Sequence, residues 1–272
     1  MNFFELLSFG FVQRAIVAGC FIAILCSVLG NFLVLRKLSL IGDGLAHITF
    51  GSVAVGLILK VYPMYVAIPL TLICGYGILL IIDKTKLYGD AAIGIVSSAG
   101  VSLGILISSI AGGFNVDLFS YLFGNILAVS YEEVLLSILL SITVIIIIIC
   151  FYHQLVSTTF DEDLAKVSGI KTKRINVILI LLISLTVVLS MRIVGIMLVS
   201  SFLILPSVSS LQFARSFKEA LFLSCLFSLF SVIAGIIISF NLNLPTGAVI
   251  VLINLCIFLF SFLLRKLNFV GS

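Results

Sequence analysis

Charged residues are scarce in this chain of 272 residues: Asp, Glu, Lys and Arg make up 10% of it, whereas a soluble domain has about 25%. Hydrophobic residues make up 62%, and the mean hydropathy is +1.40. This composition leaves little sequence for a soluble domain and predicts a polytopic membrane protein. We expect residues 1–272 to form a single transmembrane domain.

One residue type and several functional motifs are also absent. Tryptophan does not occur, and none of the six cysteines is part of a C-x-x-C pair, so the cysteines indicate neither a disulfide framework nor a thiolate metal site. The chain lacks G-x-x-x-x-G-K-[ST], and we therefore expect no ATP site of the P-loop type. It also lacks the H-E-x-x-H of many metalloproteases and contains only two histidines, so intramembrane proteolysis by such an enzyme has no support.

Long apolar runs, each near the length of about 20 residues that crosses a bilayer, predict the fold class. It is an all-α polytopic membrane protein with eight to nine transmembrane helices and a short re-entrant or half helix. The half helix is predicted at 117–129, which is too short to span. The candidate spans lie near 11–35, 42–60, 64–82, 91–111, 134–152, 175–191, 193–214, 219–240 and 246–264.

The distribution of Lys and Arg predicts the orientation. If the first span runs inward, 12 of the 15 basic residues are cytoplasmic, and only Arg14, Lys60 and Arg192 lie outside. The positive-inside rule favours this arrangement, with the N-terminus outside and the C-terminus in the cytoplasm. The net charge of +4 therefore reflects topology, and no basic stripe indicates nucleic-acid binding.

The most informative feature is a carboxylate and an imidazole inside the second predicted span. Asp43 and His47 are spaced i, i+4 and so lie on one helix face. A charged residue at such a depth costs about 2.5–3.5 kcal/mol and is usually functional. Counted from Lys37, the two residues lie about 9 Å and about 15 Å along the helix, close to the midplane of the bilayer. Oxygen and imidazole ligands suit a divalent metal such as zinc or manganese; the alternative is a polar pair that only joins two helices.

Glycines surround this pair and recur in a later span. Gly42, Gly44 and Gly51 flank it, and they permit the close approach of a partner helix or an unwound turn. Gly100 and Gly104 enclose a serine in a G-x-S-x-G pattern. The pattern lies in an apolar span rather than at a strand–turn–helix, so it favours small-xxx-small helix packing over a hydrolase nucleophile.

The only substantial polar connection covers 153–174, which the predicted topology places in the cytoplasm. Asp161, Glu162 and Asp163 suit the N-terminus of a short helix, because the helix dipole favours negative charge there. Gly169 suits its C-terminal end. We expect this short helix to be a docking element on the cytoplasmic face.

At residues 34–47, VLRKLSLIGDGLAH, the chain resembles the zinc/manganese/iron permease subunits of metal-uptake ABC transporters. That family typically has Ser where this chain has Ala46. The resemblance extends over essentially the whole chain, with its blocks in the family's order. The further matching blocks are 89–95, 122–127, 194–200 and 203–206.

The resemblance implies the membrane subunit of a binding-protein-dependent importer in the cytoplasmic membrane. Two copies, as a homodimer, would assemble with two cytoplasmic ATPase subunits and an extracytoplasmic metal-binding lipoprotein. ATP hydrolysis would then reside in the partner chain, and this chain would not be an enzyme. It would hold no permanent cofactor, and its substrate would be a divalent metal ion, Zn²⁺ or Mn²⁺, with Fe²⁺ as a further candidate.

The same resemblance assigns roles to individual residues. The metal-coordinating Asp and His of the family fall on Asp43 and His47. The cytoplasmic E-A-A-x-x-x-G coupling loop of importer permeases is matched loosely by Asp163, Ala165 and Gly169. These three residues would couple the chain to the ATPase.

Two other functions compete with this one. An ion-coupled secondary metal transporter would work without an ATPase, but a proton relay would need further intramembrane carboxylates. Asp43 is the only acid deep in a predicted span. A membrane-bound hydrolase is the other candidate, and the sequence supplies no satisfactory catalytic set for it.

Overall fold

The computed structural model describes residues 9–85, 88–110, 116–124, 130–191 and 193–270. Within these ranges the chain consists of helices and the turns between them, and it contains no β-strand. Eight of the helices are long and apolar enough to cross a membrane. The all-α polytopic membrane fold predicted from the sequence is therefore confirmed.

We number the helices of the described residues in chain order. A single 3₁₀ turn, Ile196–Leu198, precedes α10. The helices are α1 (Gly10–Leu35), α2 (Ile41–Ile58), α3 (Pro63–Thr85), α4 (Gly89–Ile110), α5 (Val116–Phe123), α6 (Tyr131–Cys150), α7 (Tyr152–Phe160), α8 (Glu162–Val167), α9 (Thr172–Ser190), α10 (Val199–Leu211), α11 (Phe217–Leu242) and α12 (Thr246–Val270).

The long helices α1, α2, α3, α4, α6, α9, α11 and α12 match eight of the nine predicted spans. The remaining one, 193–214, is shorter than predicted, because the chain turns after Ser190 and resumes an apolar helical stretch only over Ile196–Leu211. Gly195, with φ +89°, lies in this turn. The eight-residue α5 confirms the predicted half helix, whereas residues 125–129 of that prediction lie outside the described residues.

Three helices form the centre of the bundle. In α1, α2 and α9, 61–72% of the spanning residues are buried, compared with 17–33% in the other five. Helix α2 packs against α3, α4, α9 and α10. Buried polar side chains join α1 to its neighbours: the Asn31 amide donates to the Ser224 hydroxyl of α11 at 2.7 Å, and the Ser207 hydroxyl of α10 donates to the Ser27 carbonyl at 3.1 Å. Such interhelical hydrogen bonds stabilise membrane bundles, because in lipid the hydrophobic effect does not drive helices together.

Close backbone contacts at glycines hold together the irregular segments beside α2. Gly124, at the end of α5, has φ +74°, and a Cβ there would lie 2.5 Å from the Ile193 carbonyl oxygen. A Cβ on Gly247, at the start of α12, would lie 1.8 Å from the Val194 carbonyl oxygen. Non-helical backbone at membrane depth is tolerated only when protein or water covers it. Here α5 and the 3₁₀ turn both pack against α2.

Candidate metal-transport site

Helix α2 begins after a tight turn that places a carboxylate at its N-terminus. Lys37, in the turn, has a left-handed φ of +58°, and the Ile41 amide donates to the Leu38 carbonyl at 3.0 Å. Asp43 therefore lies in the first helical turn, where unpaired amides and the helix dipole favour negative charge. His47 follows one turn later on the same face.

The structure brings the two predicted ligands together. His47 Nε2 lies 3.5 Å from Asp43 Oδ2, and the two side chains are 24% and 50% exposed. Between Ile41 and Ala54 they are the only two residues of α2 that are not buried. Nδ1 of His47 is buried and has no hydrogen-bond partner among the described residues. The accessible surface of this helix half is thus a narrow stripe of one carboxylate and one imidazole.

This geometry does not support a pair that merely joins two helices. Within the described part of the chain, no other helix donates a hydrogen bond to Asp43 or accepts one from His47. The carboxylate forms its ion pair with a residue of its own helix, His47. Both groups therefore remain available to a ligand that approaches along the stripe.

Glycines on the other faces of α2 hold it tightly in the bundle, as the sequence predicted. A Cβ on Gly42 would lie 3.0 Å from the Leu203 side chain of α10, and one on Gly44 would lie 2.6 Å from Ile93 of α4. A Cβ on Gly51 would lie 2.7 Å from the Gly100 carbonyl oxygen. These contacts fix α2 on both sides of the stripe, and they confirm that the glycines serve helix packing.

One copy of the chain supplies only part of a metal site. Among the residues that the structure describes, no group of three or more His, Cys, Asp and Glu side chains could hold a metal ion. Zinc sites are almost always four-coordinate, and a complete site therefore needs ligands beyond this pair. Water or a second copy of the chain would have to contribute them.

The elbow between α7 and α9, which the predicted topology places in the cytoplasm, has the predicted short helix. Asp161 caps α8: its Oδ1 accepts the Asp163 and Leu164 amides at 3.0 and 2.9 Å. Beyond the other end, Gly169 adopts φ +84°, the left-handed conformation that ends many helices. Both sequence predictions about the ends of this helix are confirmed.

The three predicted coupling residues lie in different surroundings. The Asp163 side chain is 93% exposed and pairs with Lys166 at 3.1 Å, and this hydrogen bond raises the pKa of the Lys166 ammonium. Gly169 faces open space. Ala165, by contrast, is only 2% exposed and packs α8 against its own chain. It can therefore position this helix, but it offers no surface to a partner.

Sequence reasoning missed the apolar surface of α8. Val167 is 87% exposed and Leu164 is 66% exposed, one turn apart on the short helix. Their i, i+3 spacing was the available signal, but an apolar side chain in a short segment usually marks the buried face. The basic residues Lys171 and Lys173 follow directly and line an adjoining cleft with Lys166. The elbow thus presents two exposed apolar side chains beside a cleft lined by basic residues. Two of these, Lys166 and Lys173, are paired with carboxylates.

The chain is similar to a known family of transport proteins over most of its length. Residues 8–265 match the model of the ABC 3 transport family. The chain is 34% identical over 260 residues to the manganese transport system membrane protein MntC of Halalkalibacterium halodurans, covering 96% of this chain and 89% of that protein. It is 32% identical over 252 residues to the high-affinity zinc uptake system membrane protein ZnuB of Haemophilus influenzae, covering 93% and 97%.

The fold comparison agrees. The solved structure of PsaBC from Streptococcus pneumoniae in complex with Fab superposes with a TM-score of 0.82 at 33% identity, covering 94% of this chain and 92% of that one. The similarity thus extends over nearly the whole length of each protein. The resemblance to metal-uptake permeases that the sequence blocks carried is confirmed.

Proposed function

Because the chain belongs to the ABC 3 transport family, we propose that it is the permease subunit of an ATP-driven importer that carries Mn²⁺ or Zn²⁺ across the cell membrane. Fe²⁺ is a further candidate substrate. Relatives named for manganese and for zinc transport match it almost equally well, at 34% and 32% identity. The choice between these ions would then depend largely on the binding protein that delivers them.

The observation that carries the proposal is the accessible stripe of Asp43 and His47. In a homodimer, one pair from each copy would give two carboxylate oxygens and two imidazole nitrogens around a central path. Zinc accepts such tetrahedral N/O coordination, and manganese accepts it with added water. Since one copy offers no third ligand among its described residues, a site shared by two copies explains why the pair is open to the surface.

The cytoplasmic elbow supports the second half of the proposal. Two ATPase subunits would dock on α8, whose exposed Val167 and Leu164 provide apolar contact area. Asp163 and Gly169 would lie at the edge of this contact. Ala165, on the buried side of α8, would hold the helix in place. The ATPase cycle would open the path alternately to the lipoprotein outside and to the cytoplasm.

An ion-coupled secondary transporter is not favoured by the family match. It would need further titratable groups along the path. Asp43 is the only acidic residue within α2. In the other spans that the structure describes, the acidic residues lie in the first turn or close to the last residue of the helix.

The experiment that tests the proposal is metal uptake by the complex of permease, ATPase and binding protein reconstituted in liposomes. We expect Asp43→Asn and His47→Gln each to reduce uptake of Mn²⁺ or Zn²⁺ by more than about 100-fold. Replacing a residue that only supports a metal ligand typically costs about 10–100-fold, and loss of the ligand itself should cost more. Asp90→Asn, in the first turn of α4, and His153→Gln, at an exposed position of α7, are matched controls. Undiminished uptake by Asp43→Asn would contradict the proposal.

A further inference from the structure

A single guanidinium connects the end of α1 to both sides of the cytoplasmic elbow. Arg36 follows the last residue of α1, and its Nε donates to Thr159 Oγ1 at 2.9 Å. Its Nη1 donates to Asn176 Oδ1 at 2.6 Å. Thr159 lies in the last turn of α7, and Asn176 lies in the first turns of α9. The short helix α8 is the segment between these two anchors.

Arg36 also lies close in sequence to α2, the helix that carries the proposed metal ligands. Arg36 is followed by the tight turn at Lys37, and α2 begins at Ile41. Asp43 and His47 then lie in its first two turns. A displacement of the elbow that moves Arg36 is therefore passed to the start of α2 through only four intervening residues.

The surroundings of Arg36 leave room for such a displacement. It borders a cavity of about 460 Å³ at the cytoplasmic end of the bundle, and Lys37, Asp83 and Glu162 are the other charged residues that line it. The formal charges of these two basic and two acidic side chains cancel, so the cavity has no net charge that would attract an anion. Nη2 of Arg36 is buried and has no hydrogen-bond partner among the described residues. One donor of the guanidinium is thus free to form a new contact when the elbow moves.

Arg36 remains charged despite its position. Burial lowers the pKa of its guanidinium to about 10, against an opposing effect of the Glu162 carboxylate. A partly buried cation occupies this point, where burial of an apolar side chain would cost less free energy.

We propose that Arg36 is the positioning residue that transmits movement of the α7–α8–α9 elbow to the metal-binding stripe of α2. The proposal rests on the function proposed above, since it assigns a route by which the ATPase controls the ion path. Arg36 neither binds the ion nor contacts the ATPase. Its planar fork holds α7 and α9 at once, which a lysine ammonium on its flexible stem does not reproduce.

The test measures coupling rather than activity alone. The full complex with ATPase and binding protein is reconstituted in liposomes, and metal transported is divided by ATP hydrolysed. We expect Arg36→Gln and Arg36→Lys to lower this ratio by about 5-fold or more, the lower end of typical coupling between sites. ATP hydrolysis by the assembled complex should persist. Equilibrium binding of Mn²⁺ or Zn²⁺ to the assembly of permease and ATPase, measured without the binding protein, should also persist. Arg265→Gln, which removes an exposed bond of 2.7 Å to Gln212 away from the elbow, should leave the ratio unchanged.

Two milder variants cover the case in which the Arg36 substitutions prevent assembly. Thr159→Val and Asn176→Leu each remove one anchor, and we expect each to lower the ratio, with the double variant falling no further than Arg36→Gln. An unchanged ratio in the Arg36 variants, or in this pair if those do not assemble, would overturn the inference. Loss of metal binding in step with the ratio would also overturn it, because Arg36 would then only maintain the fold of α2. Failure of the wild-type complex to transport either ion would instead contradict the proposed function.

Discussion

Gly100 of α4 lies directly against the backbone of His47: a Cβ built on this glycine would lie 2.9 Å from the His47 carbonyl oxygen. The proposed ligand is thus positioned by a contact to its main chain. The neighbouring Gly51 makes the reciprocal approach to α4. The position of the stripe therefore depends on the absence of side chains at these glycines.

We predict that Gly100→Ala destabilises the protein by about 1–3 kcal/mol, the usual cost of overpacking a close contact. It should also weaken metal binding, since the added methyl group pushes against the backbone that carries His47. Gly77→Ala is the matched control, because a Cβ at Gly77 meets nothing within 4 Å. Thermal unfolding in detergent measures the first effect, and equal melting temperatures for the two variants would contradict this account of the contact.

The apolar surface of α8 leads to a prediction about assembly. Val167→Asp should weaken ATPase binding by about tenfold or more, which is about 1.4 kcal/mol, because it would place an unpaired charge in an apolar contact. Val61→Asp is the control, since Val61 is 45% exposed in the connection between α2 and α3, at the other end of the bundle by the predicted topology. Affinity is measured between purified permease and ATPase in detergent. Equal affinities of the two variants would remove α8 from the docking surface.

The predicted orientation can be tested with single cysteines in a chain whose six native cysteines are replaced. An impermeant thiol reagent applied to intact cells should modify Lys60→Cys and should modify Lys171→Cys only after the membrane is opened. The basic residue count places these two positions on opposite sides. Labelling of Lys171→Cys from outside would reverse the topology and exclude docking of the ATPase at α8.

The proximity of Asp43 and His47 was predictable because its geometry is local. The i, i+4 spacing of Asp43 and His47 fixes their common face in any helix, and the apolar flanks identify the helix as a span. The same reasoning found the ends of α8, since Asp161 and Gly169 act through bonds to adjacent backbone. Features that depend on near neighbours along the chain could thus be inferred without a structure.

Features that depend on distant segments could not. Ala165 matches a coupling motif, but only the packing of α8 on the bundle shows that it faces inward while Val167 faces out. Arg36 counted in the sequence merely as one cytoplasmic charge. Its partners lie 123 and 140 residues further along the chain. The turn at Gly195 likewise interrupts an apolar run whose composition predicts an unbroken span.

The ligand chemistry predicts which ions compete for transport. Carboxylate and imidazole groups suit borderline and hard divalent ions, whereas Cu⁺ favours thiolate and thioether ligands. Helix α2 contains neither Cys nor Met. Reconstituted complex should therefore transport Mn²⁺ or Zn²⁺ in the presence of excess Cu⁺ or a ferric chelate. Preferential uptake of Cu⁺ or of an intact chelate would show that the stripe does not select the substrate.

The most direct test of the central claim is X-ray absorption at the metal edge, with the assembly of permease and ATPase, without the binding protein, saturated with Zn²⁺ and washed free of excess. Two copies of Asp43 and His47 predict one ion per two permease chains, surrounded by nitrogen and oxygen at about 2.0–2.2 Å, without sulfur. This signal should disappear in Asp43→Asn combined with His47→Gln and persist in His153→Gln. An unchanged signal in the double variant, or a coordination shell containing sulfur, would contradict the claim that this pair binds the ion in transit.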